Sequence, residues 1–280
     1  MTPDTAIDLE RYPVHAKDCA GYAKLMERIH ADIDRDGCSV LRNFITPSAI
    51  EALVAEGDRT APQGYHNHTL TNPYFGEDDP DLPETHPRRR FYERSNAFIP
   101  GDAFGNDSLL RKIYEWAPFT HFIQDSLRED SFYPYADPLA DVVINMAGEG
   151  NGFPWHFDTN NYTVTLAIQN AETGGEFEYC PRLRTSTDEN YTRVQAVLDG
   201  DTRHVTTLRL EPGDLQIFKG RYSLHRVKPL KGPTPRYVAI FSYAETPDMV
   251  GHPRRVKTLY GRVLPIHYER QGLRADVLLD

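Results

Sequence analysis

The stretch from Trp155 to Tyr179, WHFDTNNYTVTLAIQNAETGGEFEY, decides how the rest of the chain is read. It opens on His156-Phe157-Asp158, runs into the alternation Thr163-Val164-Thr165-Leu166-Ala167-Ile168, and alternates again at Glu176-Phe177-Glu178-Tyr179 after Gly174-Gly175. A period of two marks strands with one buried face, and the glycine pair marks a turn between them. In an extended chain residues i and i+2 point to the same side. His156 and Asp158 can therefore reach one metal ion while Phe157 faces away.

Working outward, the same texture continues. Val142-Val143-Ile144 reads as a buried strand, followed by the glycine-rich approach Gly148-Glu149-Gly150-Asn151-Gly152. Val205 to Leu210, Leu215 to Phe218 and Tyr237 to Tyr243 are further short strands with Gly or Pro between them. Many short strands at such intervals predict a β-sandwich or jelly roll. The polar, acidic segment from Thr185 to Asp201 reads as an insertion between strands.

The first part of the chain differs. Tyr22, Leu25, Met26, Ile29 and Ile33 recur at helical spacing, Gly37 supplies a stop, and Cys38-Ser39-Val40-Leu41 reads as a strand. Thr46-Pro47 has the form of an N-cap with proline at the first helical position, opening a helix through Ile50, Leu53 and Val54. A third helical pattern starts near Asp107 and meets a breaker at Pro118. Between them, Pro62 to Asp107 carries prolines, glycines, aromatics and three histidines without clear periodicity, and reads as a long irregular segment. The expected architecture is one domain over 1–280: a helical N-terminal part over about 1–130, a β core over about 138–245 and a C-terminal extension over 246–280.

Bulk properties bound the function. The 280 residues are 39% hydrophobic and 26% charged, ordinary for a globular protein, and the formal net charge of -10 gives no reason to expect nucleic acid or an anionic membrane as partner. Three cysteines, Cys19, Cys38 and Cys180, fit a reducing compartment without a disulfide framework. No run approaches the roughly 20 apolar residues needed to span a bilayer. The N-terminus lacks the apolar segment of a secretory signal, so the expectation is a cytoplasmic protein. A homodimer is one option for its assembly.

A His-x-Asp triplet alone says little in a chain with 11 histidines. His30-Ala31-Asp32 is another, but it lies in a helical pattern, where i and i+2 diverge by about 200° and cannot share a metal. Three features lift His156 and Asp158 above that background: their strand context, a distant histidine and an arginine at a set spacing. His225 follows Asp158 by 67 residues, at the end of Gly220-Arg221-Tyr222-Ser223-Leu224, and Arg236 follows His225 by 11 on the next strand. Two imidazoles and one carboxylate on one side of a metal leave positions open opposite, which suits Fe(II) that must take a cosubstrate and O2 together. The arginine fork suits bidentate capture of a carboxylate.

The order and strand context of His156-x-Asp158, His225 and Arg236 resemble the iron- and 2-oxoglutarate-dependent oxygenases. The likeness extends over WHFDTNNYTVTLAIQNAETGGEFEY, EPGDLQIFKGRYSLHRVKP and RYVAIFSY, with a weaker match at GCSVLRNFITPSAIEAL. These stretches are similar to the clade of free-standing amino-acid halogenases and their hydroxylase relatives. The resemblance implies a double-stranded β-helix core of jelly-roll or cupin type, mainly β with an N-terminal helical layer. It also implies Fe(II) on His156, Asp158 and His225, and 2-oxoglutarate on the iron with its distal carboxylate on Arg236. Halogenases of that clade carry Gly or Ala where this chain has Asp158, so the resemblance implies hydroxylation rather than halogenation, with desaturation or ring formation as alternatives set by where the substrate C–H sits, and with succinate and CO2 as coproducts. It further implies a small polar substrate such as an amino acid or derivative.

Other residues are candidates for binding. Asn145, on the strand before the metal motif, could donate to 2-oxoglutarate or substrate. Arg88-Arg89-Arg90, with Tyr92, Arg94 and Asn96 nearby, could receive a substrate carboxylate or phosphate, Arg88 and Arg90 being preferred; a solvated basic stretch would look the same. Thr159, Asn160 and Asn161 could face the pocket or form a turn, and Asn160 is taken as a substrate contact. His66, His68 and His86 could shape a polar lid, and Trp155 reads as packing. The competing function is a non-catalytic cupin-like sandwich that binds a metal or small ligand, which has no need of Arg236. A zinc hydrolase is compatible with the donors but lacks a placed general base such as the glutamate of H-E-x-x-H.

Overall fold

The alternating segments pair into two antiparallel sheets. The computed structural model describes residues 1–159 and 162–270. The larger sheet runs β1 (Cys38–Leu41), β11 (Leu215–Phe218), β7 (Tyr162–Gln169), β14 (Arg236–Ala244), β5 (Val142–Ala147), β3 (Tyr92–Ile99), β2 (Tyr65–Thr71), with the short β4 (Tyr133–Pro134) also paired to β14. The smaller runs β10 (Thr206–Leu208), β9 (Phe177–Cys180), β12 (Leu224–Val227), β6 (Phe153–His156). A ribbon of β8 (Thr173–Gly174) and β13 (Leu230–Lys231) completes the strands described. Antiparallel sheets whose neighbours are remote in sequence form the expected double-stranded β-helix.

Side-chain alternation gives the larger sheet two unlike faces. On β14, Tyr237, Ala239, Phe241 and Tyr243 belong to the main apolar core, whereas Arg236, Val238 and Ile240 line a cavity. On β5, Val142 and Ile144 take the core side while Val143 and Asn145 take the cavity side. On β11 the same division separates Leu215 and Ile217 from Gln216 and Phe218.

Helices cover the apolar face. They are α1 (Pro3–Ala6), α2 (Ala20–Asp36), α3 (Pro47–Thr60), α4 (Leu109–Glu115) and α5 (Ala117–Leu127). Tyr22, Leu25, Met26 and Ile29 of α2 and Phe119, Phe122 and Ile123 of α5 enter the same core as the sheet residues. Burying such side chains contributes roughly 1.5–3 kcal/mol each, which fixes the helical layer to the sheet. Helix α2 ends at Gly37 in the left-handed region (φ 70°), as its position predicts. Thr46 caps α3 in backbone conformation only; its hydroxyl makes no capping hydrogen bond. Pro118 sits in the first turn of α5 and so separates it from α4.

One sequence expectation needs correction, and another gains detail. Residues 62–107 are not irregular: β2 and β3 pair in register from Tyr65↔Phe98 to Thr71↔Tyr92, and β3 extends the larger sheet beyond β5. The strands escape apolar periodicity because β2 is a polar, largely exposed edge strand, and the buried side of β3 includes Arg94 and Asn96. The acidic segment 185–201 contains α6 (Tyr191–Leu198), whose Val194 and Val197 pack with Trp155 and Leu224.

The C-terminal part adds α7 (Pro253–Tyr260) and α8 (Pro265–Glu269). Helix α7 lies against β2 and β3, and Asn67 Nδ2 donates to Thr258 O at 2.5 Å. Asp137 anchors this arm from full burial. Its carboxylate accepts from Leu139 N (2.9 Å) and Gly251 N (3.0 Å) and stands 3.0 Å from Nε2 of the equally buried His267. His267 Nδ1 in turn accepts from Leu264 N at 2.9 Å, which ties the imidazole to the first turn of α8. Among the described residues no helix is long and apolar enough to cross a membrane, and Cys19, Cys38 and Cys180 are free thiols. Asp137→Ala leaves the N–H groups of Leu139 and Gly251 without their acceptor and removes the carboxylate facing His267, and should cost about 2–4 kcal/mol in urea unfolding; a loss below about 1 kcal/mol would show that the arm is held otherwise.

Candidate metal centre and its cavity

Strand β6 ends on His156, β12 carries His225, and the two are direct partners in the antiparallel register. Such partners share a face, and their rings lie 4.2 Å apart between centroids. The chain turns after His156 and brings Asp158 Oδ1 to 3.8 Å from His156 Nε2 and 3.4 Å from His225 Nε2. Each separation is shorter than two metal–ligand bonds of about 2.1 Å laid end to end. One ion can therefore touch all three.

Both imidazoles are oriented by the nitrogen that faces away. His156 Nδ1 donates to Pro154 O, and His225 Nδ1 to Ser223 O, each at 2.8 Å. Carbonyls only accept, so Nδ1 carries the proton and the Nε2 lone pair points inward. Burial, then the neighbouring His225, holds the His156 pKa well below the usual histidine value. The ring is neutral, as a ligand must be.

Asp158 is set from behind. Its N–H donates to Gly220 O at 3.2 Å, and a Cβ added at Gly220 would collide with its carboxylate. Arg221 Nη1 donates to Thr159 O at 2.9 Å, while Arg184 Nε donates to Arg221 O at 2.6 Å. Arg184 also pairs with Glu189 at 2.9 Å and stacks on Phe157, its guanidinium carbon 4.1 Å from the ring centre. Phe157 faces away from the cavity, into a cluster with Trp155, Tyr74 and Leu224. Trp155 is thus packing, as read.

A loop after β2 closes on the histidine. Asn72 Oδ1 accepts from Tyr74 N (3.0 Å) and Gly76 N (3.1 Å), and its Nδ2 donates to Arg88 O at 2.7 Å. This bracket holds Phe75 in the left-handed region (φ 56°), uncommon for a bulky residue. The Phe75 ring stands 5.5 Å from that of His156.

Across the cavity, Arg236 is 7% exposed and has neither ion-pair nor hydrogen-bond partner among the described residues. Burial alone draws its pKa down to about 10, so it stays charged at neutral pH. A buried, unanswered guanidinium is costly unless a ligand supplies the anion. The fit to a dianionic cosubstrate rests on this orphan group and on the donor set opposite it. Gly175 (φ 73°) passes beside the arginine stem, and a Cβ there would collide with Leu230 Cδ2 at 2.6 Å. Asn145 lines the same cavity, its Nδ2 donating to Ala97 O at 3.3 Å.

The other candidates are distributed differently. Arg88 pairs with Asp79 at 3.3 Å and Arg90 with Asp199 at 2.7 Å, and neither lines the cavity. Nor do His66, His68 or His86; His86 Nδ1 instead accepts from Arg88 N. Thr159 lines the cavity, and Asn160 and Asn161 lie outside the described residues. The cavity wall also includes Arg94, named in the sequence only as a neighbour of the basic run at 88–90, and Arg255 and Tyr260, which the sequence reading did not name. The available signal was the spacing Tyr92, Arg94, Asn96, Phe98, a period of two written in mostly polar residues.

Replacing Gly220 by Ala should displace the Asp158 carboxylate and lower Mn(II) or Co(II) affinity by roughly 10–100-fold, read by calorimetric titration of the folded protein. Unchanged affinity would remove Asp158 from the ligand set.

The halogenase D (HalD) family profile matches residues 22–257. No curated protein matches the sequence significantly. Among solved structures, the non-heme alpha-ketoglutarate-dependent epimerase SnoN from nogalamycin biosynthesis is similar, at 12% identity and TM-score 0.56 over 80% of this chain and 84% of its own. AviO1 from Streptomyces viridochromogenes Tue57 gives 16% and 0.53 over 83% and 98%. A 2OG-Fe(II) oxygenase family protein from Burkholderia pseudomallei gives 14% and 0.50 over 79% and 91%. At such identities these structures speak for the fold, and the profile spans most of the chain. The chain belongs to the halogenase D family, on the fold of the Fe(II)- and 2-oxoglutarate-dependent oxygenases.

Proposed function

We propose that the protein is an Fe(II)- and 2-oxoglutarate-dependent oxygenase that hydroxylates an unactivated C–H bond of a small polar substrate, a free amino acid or derivative. The observation that carries this reading is the pairing, in one cavity, of the His156–Asp158–His225 donors with the buried, unanswered Arg236. A metal-binding sandwich without cosubstrate chemistry has no use for that arginine.

Iron with 2-oxoglutarate and O2 supplies the oxidising power, the cosubstrate leaving as succinate and CO2. His156, Asp158 and His225 hold the metal, their orientation fixed by Pro154 O, Ser223 O and Gly220. Arg236 receives the distal carboxylate of 2-oxoglutarate through its planar fork. Asn145, on the neighbouring strand, offers an amide to the cosubstrate or the substrate. Phe153, Phe177, Phe218, Val238 and Ile240 exclude water around the reacting atoms.

Family membership alone does not choose between halogenation and hydroxylation. Asp158 favours the second, because its carboxylate stands where a halide would need a free coordination position. Anaerobic addition of Fe(II) and 2-oxoglutarate should give a weak visible charge-transfer band, and its absence in folded, metal-loaded protein would end the oxygenase reading. Mass spectrometry of turnover in chloride buffer should show a gain of one oxygen and no chlorine; a chlorinated product would reverse the assignment. Asp158→Ala should abolish hydroxylation. Arg236→Gln should raise the 2-oxoglutarate KM by about 100-fold or more, the usual scale for removing one partner of a buried charge pair; an unchanged KM would move the cosubstrate anchor elsewhere.

A further inference from the structure

One side of the cavity is hydrocarbon. Phe98, Val143, Phe153, Ile240, Leu259 and Tyr260 line it, contributed by β3, β5, β6, β14 and α7. The same side chains pack on one another in a cluster backed by Leu139 and Val256, apart from the main core. Strand register brings part of this wall to one face. Ile240 and Val143 are direct partners between β14 and β5, and Phe98 stands opposite Asn145, two residues along from Val143. The Phe98 ring meets those of Phe153 and Tyr260 edge-on, with centres 6.1 Å apart in both pairs. Helix α7 closes the wall with Leu259 and Tyr260.

This wall abuts the metal donors, for the Phe153 ring centre stands 5.3 Å from that of His156. Phe98 and Val143 are buried, whereas Phe153, Ile240 and Leu259 are only partly covered and keep apolar surface open to the cavity. Nearby amides and hydroxyls are already engaged. Asn145 Nδ2 donates to Ala97 O at 3.3 Å, and the Thr165 hydroxyl donates to Gln216 Oε1 at 2.9 Å. Among the described residues the only carboxylate lining the cavity is that of Asp158, a metal donor. A side-chain ammonium laid against this wall would therefore be a buried charge without a counter-ion, which is costly. A methylene in the same place gains about fourfold in affinity.

We infer that this wall is a specificity pocket for an uncharged aliphatic side chain, so that the substrate is an amino acid presenting hydrocarbon, not a cationic group, to the metal. This deepens the oxygenase reading and rests on it for the amino-acid end of the substrate. The C–H bond attacked then belongs to the segment that the wall holds. Ile240 and Leu259 act as specificity-determining residues, one from the β-helix and one from the C-terminal arm.

The test uses full-length protein loaded with Mn(II) and 2-oxoglutarate, titrated calorimetrically with L-norleucine, L-norvaline and L-lysine. Norleucine and lysine share the same unbranched carbon chain and differ by the terminal ammonium; norvaline is one methylene shorter than norleucine. Norleucine should bind at least tenfold tighter than lysine, and norvaline about fourfold more weakly than norleucine. Ile240→Ala and Leu259→Ala should each lower norleucine affinity by about fivefold or more. Leu259→Ala, on a helix outside the β-helix, should still take up 2-oxoglutarate. Ile240→Glu, which sets a carboxylate in the wall, should turn the preference toward lysine. Lysine binding as tightly as norleucine or tighter, or norleucine not binding at all, overturns the inference; if that protein still gives the charge-transfer band with Fe(II) and 2-oxoglutarate, the oxygenase reading stands. Norleucine affinity unchanged in both alanine variants also overturns it, because the side chain then seats elsewhere. A norleucine preference in protein that forms no such band keeps the pocket and removes the oxygenase reading.

Discussion

The register between β6 and β12 is the constraint on which the site depends. His156 faces His225 because their strands pair at that residue; a slip by one position would turn either ring to the opposite face. The outer side of the smaller sheet keeps the register from slipping. Trp155 and Leu224, neighbours of the two histidines, are buried in the apolar cluster with Phe157 and Val194. A shifted strand would expose those side chains and bury the polar ones. Packing on the dry side thus holds the chemistry on the other, and hydrogen bonds from Nδ1 to backbone carbonyls complete the aim of both rings.

Legibility in the sequence followed the same physics. Strands whose two faces differ in polarity announced themselves: β7, β9 and β14 alternate, and so His156, Asp158, His225 and Arg236 could be placed on one cavity from spacing and strand context. Helices α2 and α3 were equally plain, since one face of each is apolar. What escaped was the hairpin of β2 and β3. Its edge strand is exposed, and the buried side of its partner carries Arg94 and Asn96, so hydrophobicity gave no period to detect. The arginines at 88 and 90 attracted attention as a basic run, yet acidic residues remote in sequence, or just upstream, neutralise them. Residue type alone cannot distinguish a paired arginine from an orphan.

The energetic cost of the cavity is borne by the layer behind it. A guanidinium buried at Arg236 without an acceptor, and another at Arg94, would each weaken a small fold. They persist because the opposite face of the larger sheet is joined to α2 and α5 by a continuous apolar core that includes Phe44, Phe119, Phe122 and Phe241. Stability and reactivity therefore occupy opposite sides of the same strands. Ligands that supply the missing anions would stabilise the fold by mass action, so occupancy and rigidity rise together.

The wall around the metal has two origins. Its donors and Arg236 come from strands of the β-helix, whereas Arg94 comes from the part of β3 beyond its pairing with β5, and Arg255 from the arm that Asp137 pins down. Exchanges on that outlying hairpin and helix leave the register of β6 and β12 untouched. Descendants of such a scaffold can change the molecule they accept while inheriting the same oxidation chemistry, because the two properties are written in separable segments of the chain.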